Sequence, residues 1–243
     1  MNEDQVIKKL ISTASAEIGY MEKASNKNLD DKTANAGKGN FTKYARDLVN
    51  LIGSPYSQGA AWCDMFVDWC FIQTFGKENA KKMLGGWSAY TPTSANFYKN
   101  SGRFFKSPSI GDQIFFKNSE RINHTGIVVN VSDTTVYTIE GNSSNMVQTR
   151  SYFKNDTKIA GYGKPNWSVV TTKEEKLDPW PKAMVEGVDI SDVLDPNVFD
   201  VRKYRAAYAD LDSVFGDNWQ MYYYHYKVIG KTEIETKQRP PFM

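Results

Sequence analysis

IGDQIFFKNSERINHTGIVVNVSDTTVYTIE, residues 110–140, is the stretch on which the fold turns. Three short apolar or β-branched runs, 110–116, 124–131 and 135–140, are parted by Asn-Ser-Glu and Ser-Asp turn signals. That pattern reads as an antiparallel meander, and residues 157–163 can add a strand to it. Upstream the period changes. In GAAWCDMFVDWCF, residues 59–71, Trp62, Phe66, Trp69 and Cys70 recur at three- and four-residue steps. Val67 and Phe71 widen that face, and Gly76 ends the helix. Val6, Ile7, Leu10, Ile11, Ala14 and Ile18 give residues 4–22 an amphipathic helical pattern. An Asn-, Lys- and Gly-rich surface loop is expected at 24–40 and a second helix at 41–52, stopped by Gly53-Ser54-Pro55. Residues 92–99 read as a short further helix. Helices first and strands second give an α+β domain in which N-terminal helices pack on an antiparallel sheet.

That domain is expected to span residues 1–167. Residues 168–184, with a charge run and two prolines, read as a linker. Residues 185–243 then form a small helical module, with Tyr204, Tyr208, Leu211 and Phe215 at helical spacing and a second helix at 219–228.

Composition narrows the function. The 243 residues carry a net charge of +2, too mild for a nucleic-acid binder, where a basic stripe is expected. The longest apolar runs fall far short of the roughly 20 residues of a membrane-spanning helix. The first twenty residues lack the basic and apolar regions of a secretory signal. Two of the Asn-x-Ser/Thr sequons, at Asn123 and Asn142, fall within the site described next, which argues against passage through a eukaryotic secretory pathway. Cys63 and Cys70 lie seven apart in one predicted helix, about 10.5 Å of rise. A disulfide needs Cα atoms within about 7 Å, so both should be free thiols.

A thiol nucleophile works as a thiolate, and a helix N-terminus or a neighbouring histidine favours that form. Cys63 sits where a Gly-Ala-Ala loop enters the helix, so unpaired N–H groups and the positive dipole end point at its sulfur. Cys70, mid-helix between Trp69 and Phe71, reads as a packing residue. Of the two histidines, His225 lies beyond the linker, whereas His124 opens a strand of the same domain as Cys63. Gly126 shares its strand face and leaves room beside the imidazole. A base of this kind needs an orienting partner. The next strand supplies Glu140 and Asn142, two apart and so on one face if the strand runs that far.

The segments GAAWCDMFVDWCF at 59–71, GDQIFF at 111–116, NHTGIVV at 123–129 and TIEGNSS at 138–144 resemble the CHAP family, cysteine, histidine-dependent amidohydrolases/peptidases of the papain-like NlpC/P60 superfamily. AEIGYMEK at 16–23 and TANAGKGNFTKY at 33–44 resemble the lead-in of phage and Firmicutes members, so the likeness covers roughly residues 4–167. It implies a papain-like fold. It also implies cleavage of peptidoglycan, as an N-acetylmuramoyl–L-alanine amidase in preference to an endopeptidase. The family's nucleophile, base and orienting positions fall on Cys63, His124, Glu140 and Asn142. Some relatives bind calcium in an Asp-rich loop. This chain has only Asp30 and Asp31 there, and neither metal nor cofactor is expected. Residues 198–233 resemble a small helical module of clostridial wall-lytic proteins, which implies wall attachment through Trp219, Tyr222, Tyr223 or Tyr224. The plainer reading makes these rings the core of the module. The chain is thus read as a monomeric endolysin or autolysin acting on the bacterial cell wall, released by phage lysis or secreted. A catalytically inactive wall-binding protein and a papain-like protease acting on proteins are the rival readings.

Overall fold

A computed structural model describes residues 1–171, 184–195, 197–238 and 240–241 of the chain. It divides into two compact units, Met1–Lys173 and Glu174–Met243. In the first unit, α1 (Glu3–Ala16) starts on a capping box between Asn2 and Gln5, and α2 (Lys43–Leu51) starts on the Thr42 hydroxyl, which accepts from the Ala45 N–H. The central helix α3 (Cys63–Phe75) is buried along every residue from Cys63 to Ile72. A helix that is apolar nearly all round belongs inside, and α3 has α1 and α2 on one side and the sheet on the other. Next come α4 (Lys77–Leu84) and α5 (Thr91–Asn100).

The strands are β1 (Phe104–Phe105), β2 (Gln113–Lys117), β3 (Ile122–Val131), β4 (Thr135–Ser143), β5 (Met146–Phe153) and β6 (Ile159–Gly163). They form one antiparallel sheet in the order β1-β6-β2-β3-β4-β5. Its helix-facing side contributes Phe115, Ile127 and Ile139 to the main core. The opposite face carries a smaller core of Ile114, Phe116, Val128, Val136 and Tyr162. The architecture is the α+β arrangement expected, with helices on one antiparallel sheet.

The differences lie at the ends of elements. The first helix stops at Ala16 rather than 22. Gly19 (φ 87°) turns the chain, and its N–H donates to the Val147 carbonyl, so residues 19–21 extend the edge of β5. The helix α4 and the strands β1 and β5 were not anticipated. Of the expected linker, residues 172–183 lie outside the described residues. Its first residues belong to a 3-10 turn, Trp167–Val169, whose Trp167 stacks on Phe71.

The second unit opens with a hairpin, β7 (Met184–Val185) and β8 (Val188–Asp189), that the helical expectation missed. Its two-residue turn, Glu186-Gly187, has positive φ at both positions, the geometry that suits strand twist. Then follow α6 (Val201–Ala207), α7 (Ala209–Phe215), α8 (Trp219–His225), a wide turn over Tyr226–Gly230, and α9 (Lys231–Glu235). Trp219, Tyr222 and Tyr223 are buried with Phe199, Tyr204 and Leu211. These rings form the core of the unit. No helix among the described residues is long and apolar enough to cross a membrane.

Candidate active site

Cys63 is the first residue of α3, and the preceding Trp62 gives that helix no side-chain cap. The first turn closes only when the Phe66 N–H donates to the Trp62 carbonyl at 2.9 Å. The N–H groups of Cys63, Asp64 and Met65 therefore stand without a partner among the described residues, at the positive end of a 13-residue helix. Trp62 is itself held: its indole N–H donates to Glu22 at 2.9 Å, and its ring stacks on Tyr44. Behind the helix, Gly141 of β4 makes the approach possible. A Cβ there would fall 2.4 Å from Cβ of Phe66, so only glycine lets β4 and α3 lie this close.

His124 stands at the third residue of β3, paired across the ladder with Phe116, whose ring stacks on the imidazole at 5.7 Å. His124 Nε2 meets Glu140 Oε2 at 2.8 Å. Cys63 also lies near enough to the ring to favour its protonated form. Burial works against a charge on this ring. The influence of Cys63 and then of Glu140 outweighs it and pushes the imidazole up to about 10. That direction favours the protonated ring at neutral pH. Glu140 is almost wholly buried: Thr138 Oγ1 donates to its other oxygen at 2.6 Å, and Tyr152 lies nearby, its phenol pushed up by burial and then by the Glu140 charge.

Three of the four residues singled out in the sequence thus converge. Gly126 does leave room, but chiefly for Glu140, whose Cγ would sit 2.5 Å from a Cβ at that position. Asn142 differs from expectation. β4 does run on to Ser143, yet its pairing shifts between Glu140 and Ser143, and Asn142 turns left-handed (φ 55°). This bulge breaks the alternation that would set Asn142 on the face of Glu140. Its side chain makes no hydrogen bond among the described residues, and His124 Nε2 is already taken by Glu140. Thr138 and Tyr152 escaped the sequence reading. Thr138 was findable, since it lies two residues before Glu140 on the same strand face. Tyr152 lies on β5, which was not anticipated.

The acids of the N-terminal loop are otherwise occupied. Asp30 makes a two-pronged contact with Arg46, and Asp31 accepts from the Thr33 and Ala34 N–H groups. No group of three or more potential metal ligands gathers among the described residues.

Residues 55–142 match the family model for the CHAP domain. The chain carries a CHAP domain. The match begins ahead of α3 and ends at Asn142, so it spans α3 to α5 and β1 to β4, while α1, α2, β5 and β6 lie outside it. Comparison with curated proteins gave no match. A CHAP domain implies, in general terms, cysteine- and histidine-dependent hydrolysis of peptidoglycan, and with it action at the cell wall.

Proposed function

We propose that the chain cleaves the N-acetylmuramoyl–L-alanine amide of peptidoglycan, with Cys63 as nucleophile and His124 as its base and acid. The observation that carries this reading is the His124–Glu140 hydrogen bond near Cys63, which itself opens an uncapped helix N-terminus. A ring held towards its imidazolium form is the partner a thiolate requires. The Cys63 thiolate attacks the scissile carbonyl. The N–H groups at the start of α3, that of Cys63 first, stabilise the oxyanion. His124 then protonates the leaving amine, and the acyl-enzyme is hydrolysed by water that the neutral imidazole activates. Glu140 holds the ring and balances its charge. Asn142, whose side chain has no hydrogen-bond partner among the described residues, is assigned to the substrate side.

The catalytic unit in this reading is residues 1–167, acting as a monomer on the walls of Firmicutes. The compact unit Met1–Lys173 supports that division. The module at 185–243 serves attachment to the wall by surfaces other than Trp219, Tyr222 and Tyr223, whose rings are buried. Release by phage lysis and secretion are the two routes to that wall.

The test is digestion of purified clostridial peptidoglycan by the wild type and Cys63→Ala, with mass spectrometry of the fragments. Stem peptides with a free L-alanine N-terminus, absent from the variant digest, are expected. Cleaved stems that still bear muramic acid would make the enzyme an endopeptidase. Casein clearing without wall clearing would make it a protease, and wall binding without fragments a binding protein.

A further inference from the structure

Behind the reacting groups lies a buried polar cluster that the mechanism above does not use. Asp64 follows Cys63 on α3, and Thr125 follows His124 on β3. Successive side chains on a strand point to opposite faces, and on a helix they diverge by about 100°. Asp64 and Thr125 therefore point away from Cys63 and His124, and both are buried in the core. Between them stands Gln113 of β2, buried together with Asp64, Thr125, Ser94 and Tyr98. Gln113 Nε2 donates to Asp64 Oδ1 at 3.0 Å and to Thr125 Oγ1 at 3.1 Å. Its Oε1 accepts from the Tyr98 hydroxyl at 3.0 Å. Thr125 Oγ1 donates onward to the Ile114 carbonyl at 2.7 Å, and Ser94 Oγ donates to Asp64 Oδ2 at 2.5 Å.

Every polar atom of the amide is matched, and only one orientation serves. Turning it over would set its carbonyl against the carboxyl of Asp64. Elsewhere α3 meets the sheet through apolar side chains such as Phe66, and apolar contact is non-directional. It resists separation of helix and sheet far better than sliding along the helix axis. A sliding error of about 1 Å between nucleophile and base costs on the order of 100-fold in rate. Directional hydrogen bonds remove that freedom.

We propose that Gln113, by tying Asp64 to Thr125, is a positioning residue that sets the contact between Cys63 and His124. The inference rests on the catalytic reading of that pair. Iodoacetamide labelling of Cys63 across pH, followed by peptide mapping, reads the thiolate–imidazolium contact directly, and turnover of peptidoglycan reads its consequence. Thr125→Val keeps the shape of the side chain and removes the hydroxyl; Thr125→Ser keeps the hydroxyl. Thr125→Val should lower kcat by about tenfold with little change in KM. It should also move the labelling profile towards that of His124→Ala, and Thr125→Ser should restore both. Gln113→Met, close in length and without the amide, carries the same expectation independently should Thr125→Val fold poorly. A wild-type profile and kcat in Thr125→Val and Gln113→Met would overturn the proposal. So would a Thr125→Ser as impaired as Thr125→Val, which marks packing rather than positioning. A His124→Ala profile identical to wild type would instead sink the catalytic pair itself, and that outcome is read from a different variant.

Discussion

Two turns of α3 separate Cys63 from Cys70, and the two thiols share one helix, both buried and both free. Their surroundings differ. Around Cys63 are first-turn N–H groups with no partner among the described residues, and an imidazole pushed towards its protonated form. Around Cys70 is packed core, where burial, and then the negative charge of Glu17, push the thiol well above the ordinary cysteine range. The helix supplies the same backbone to both. What separates them is the end of the helix dipole and the strand that arrives there, which teaches that reactivity here belongs to a junction between elements rather than to a residue type.

The sharpest way to break the comparison is to remove each sulfur in turn. Cys63→Ala should abolish peptidoglycan turnover, a loss on the order of 10⁴-fold or more, as for other nucleophile deletions. Cys70→Ala should leave kcat/KM near wild type and lower thermal stability by about 1 kcal/mol, the cost of a small buried deletion. Fragment release and a thermal melt on both variants check this. A Cys70→Ala enzyme as dead as Cys63→Ala would mean that the distinction between the two sites is false.

The next step is to take away the partner that sharpens Cys63. Glu140→Gln keeps size and removes the charge. Loss of about 10³-fold in kcat/KM is expected, by analogy with triad variants in which the acid becomes an amide. The pH dependence carries a sign. Glu140 is among the groups that hold the imidazole at about 10. Its loss should bring the alkaline limb of the kcat/KM profile down towards the ordinary imidazole range. The linked stability follows the same sign: the contribution of the raised imidazole is complete below about pH 6.5 and fades as pH rises through about 10. In Glu140→Gln it should fade earlier. A variant whose alkaline limb stays at the wild-type pH would show that Glu140 is not what holds the charge. Gly126→Ala should act in the same direction more weakly. Its added methyl displaces the Glu140 side chain, and about a tenfold loss in kcat is expected from a carboxylate moved by a fraction of an ångström. Full activity in Gly126→Ala would mean that Glu140 has freedom the close packing denies.

The comparison also separates what was legible in the sequence from what was not. Helix α3 was readable because its apolar residues recur at helical spacing. The strands β2 to β4 were readable because both their faces are buried and each gives a dense apolar run. The edge strand β5 was not, because only Val147 of its eight residues is buried and Gln148 and Arg150 interrupt any alternation. With β5 went Tyr152, a neighbour of Glu140. The short α4, KENAKKML, buries only Ala80, Met83 and Leu84 and was hidden by its lysines. In the site, Cys63, His124 and Glu140 could be found because a strand period and a helix start fix their directions. The position of Asn142 could not, because a bulge is a departure from the period on which the reading depends. The cluster around Gln113 was invisible for a similar reason: it is made by four elements meeting, α3, α5, β2 and β3, and no single run of sequence encodes it.

The smallest expected effect tests that bulge. Asn142 occupies the left-handed region, where Asn and Gly are the residues least strained. Asn142→Gly therefore keeps the backbone path of β4 while deleting the side chain, whereas alanine would confuse loss of the amide with backbone strain. Since His124 Nε2 stays on Glu140, the alkaline limb should not move. A fall in kcat/KM of at most about tenfold is expected from losing one uncharged contact, close to the ~1.4 kcal/mol that separates tenfold steps. If the loss instead rivalled that of Glu140→Gln and the limb fell with it, Asn142 would be the group that orients the ring. The Glu140 contact would then be a support for the strand, and the junction that distinguishes Cys63 from Cys70 would be built by the bulge rather than by the ladder beside it.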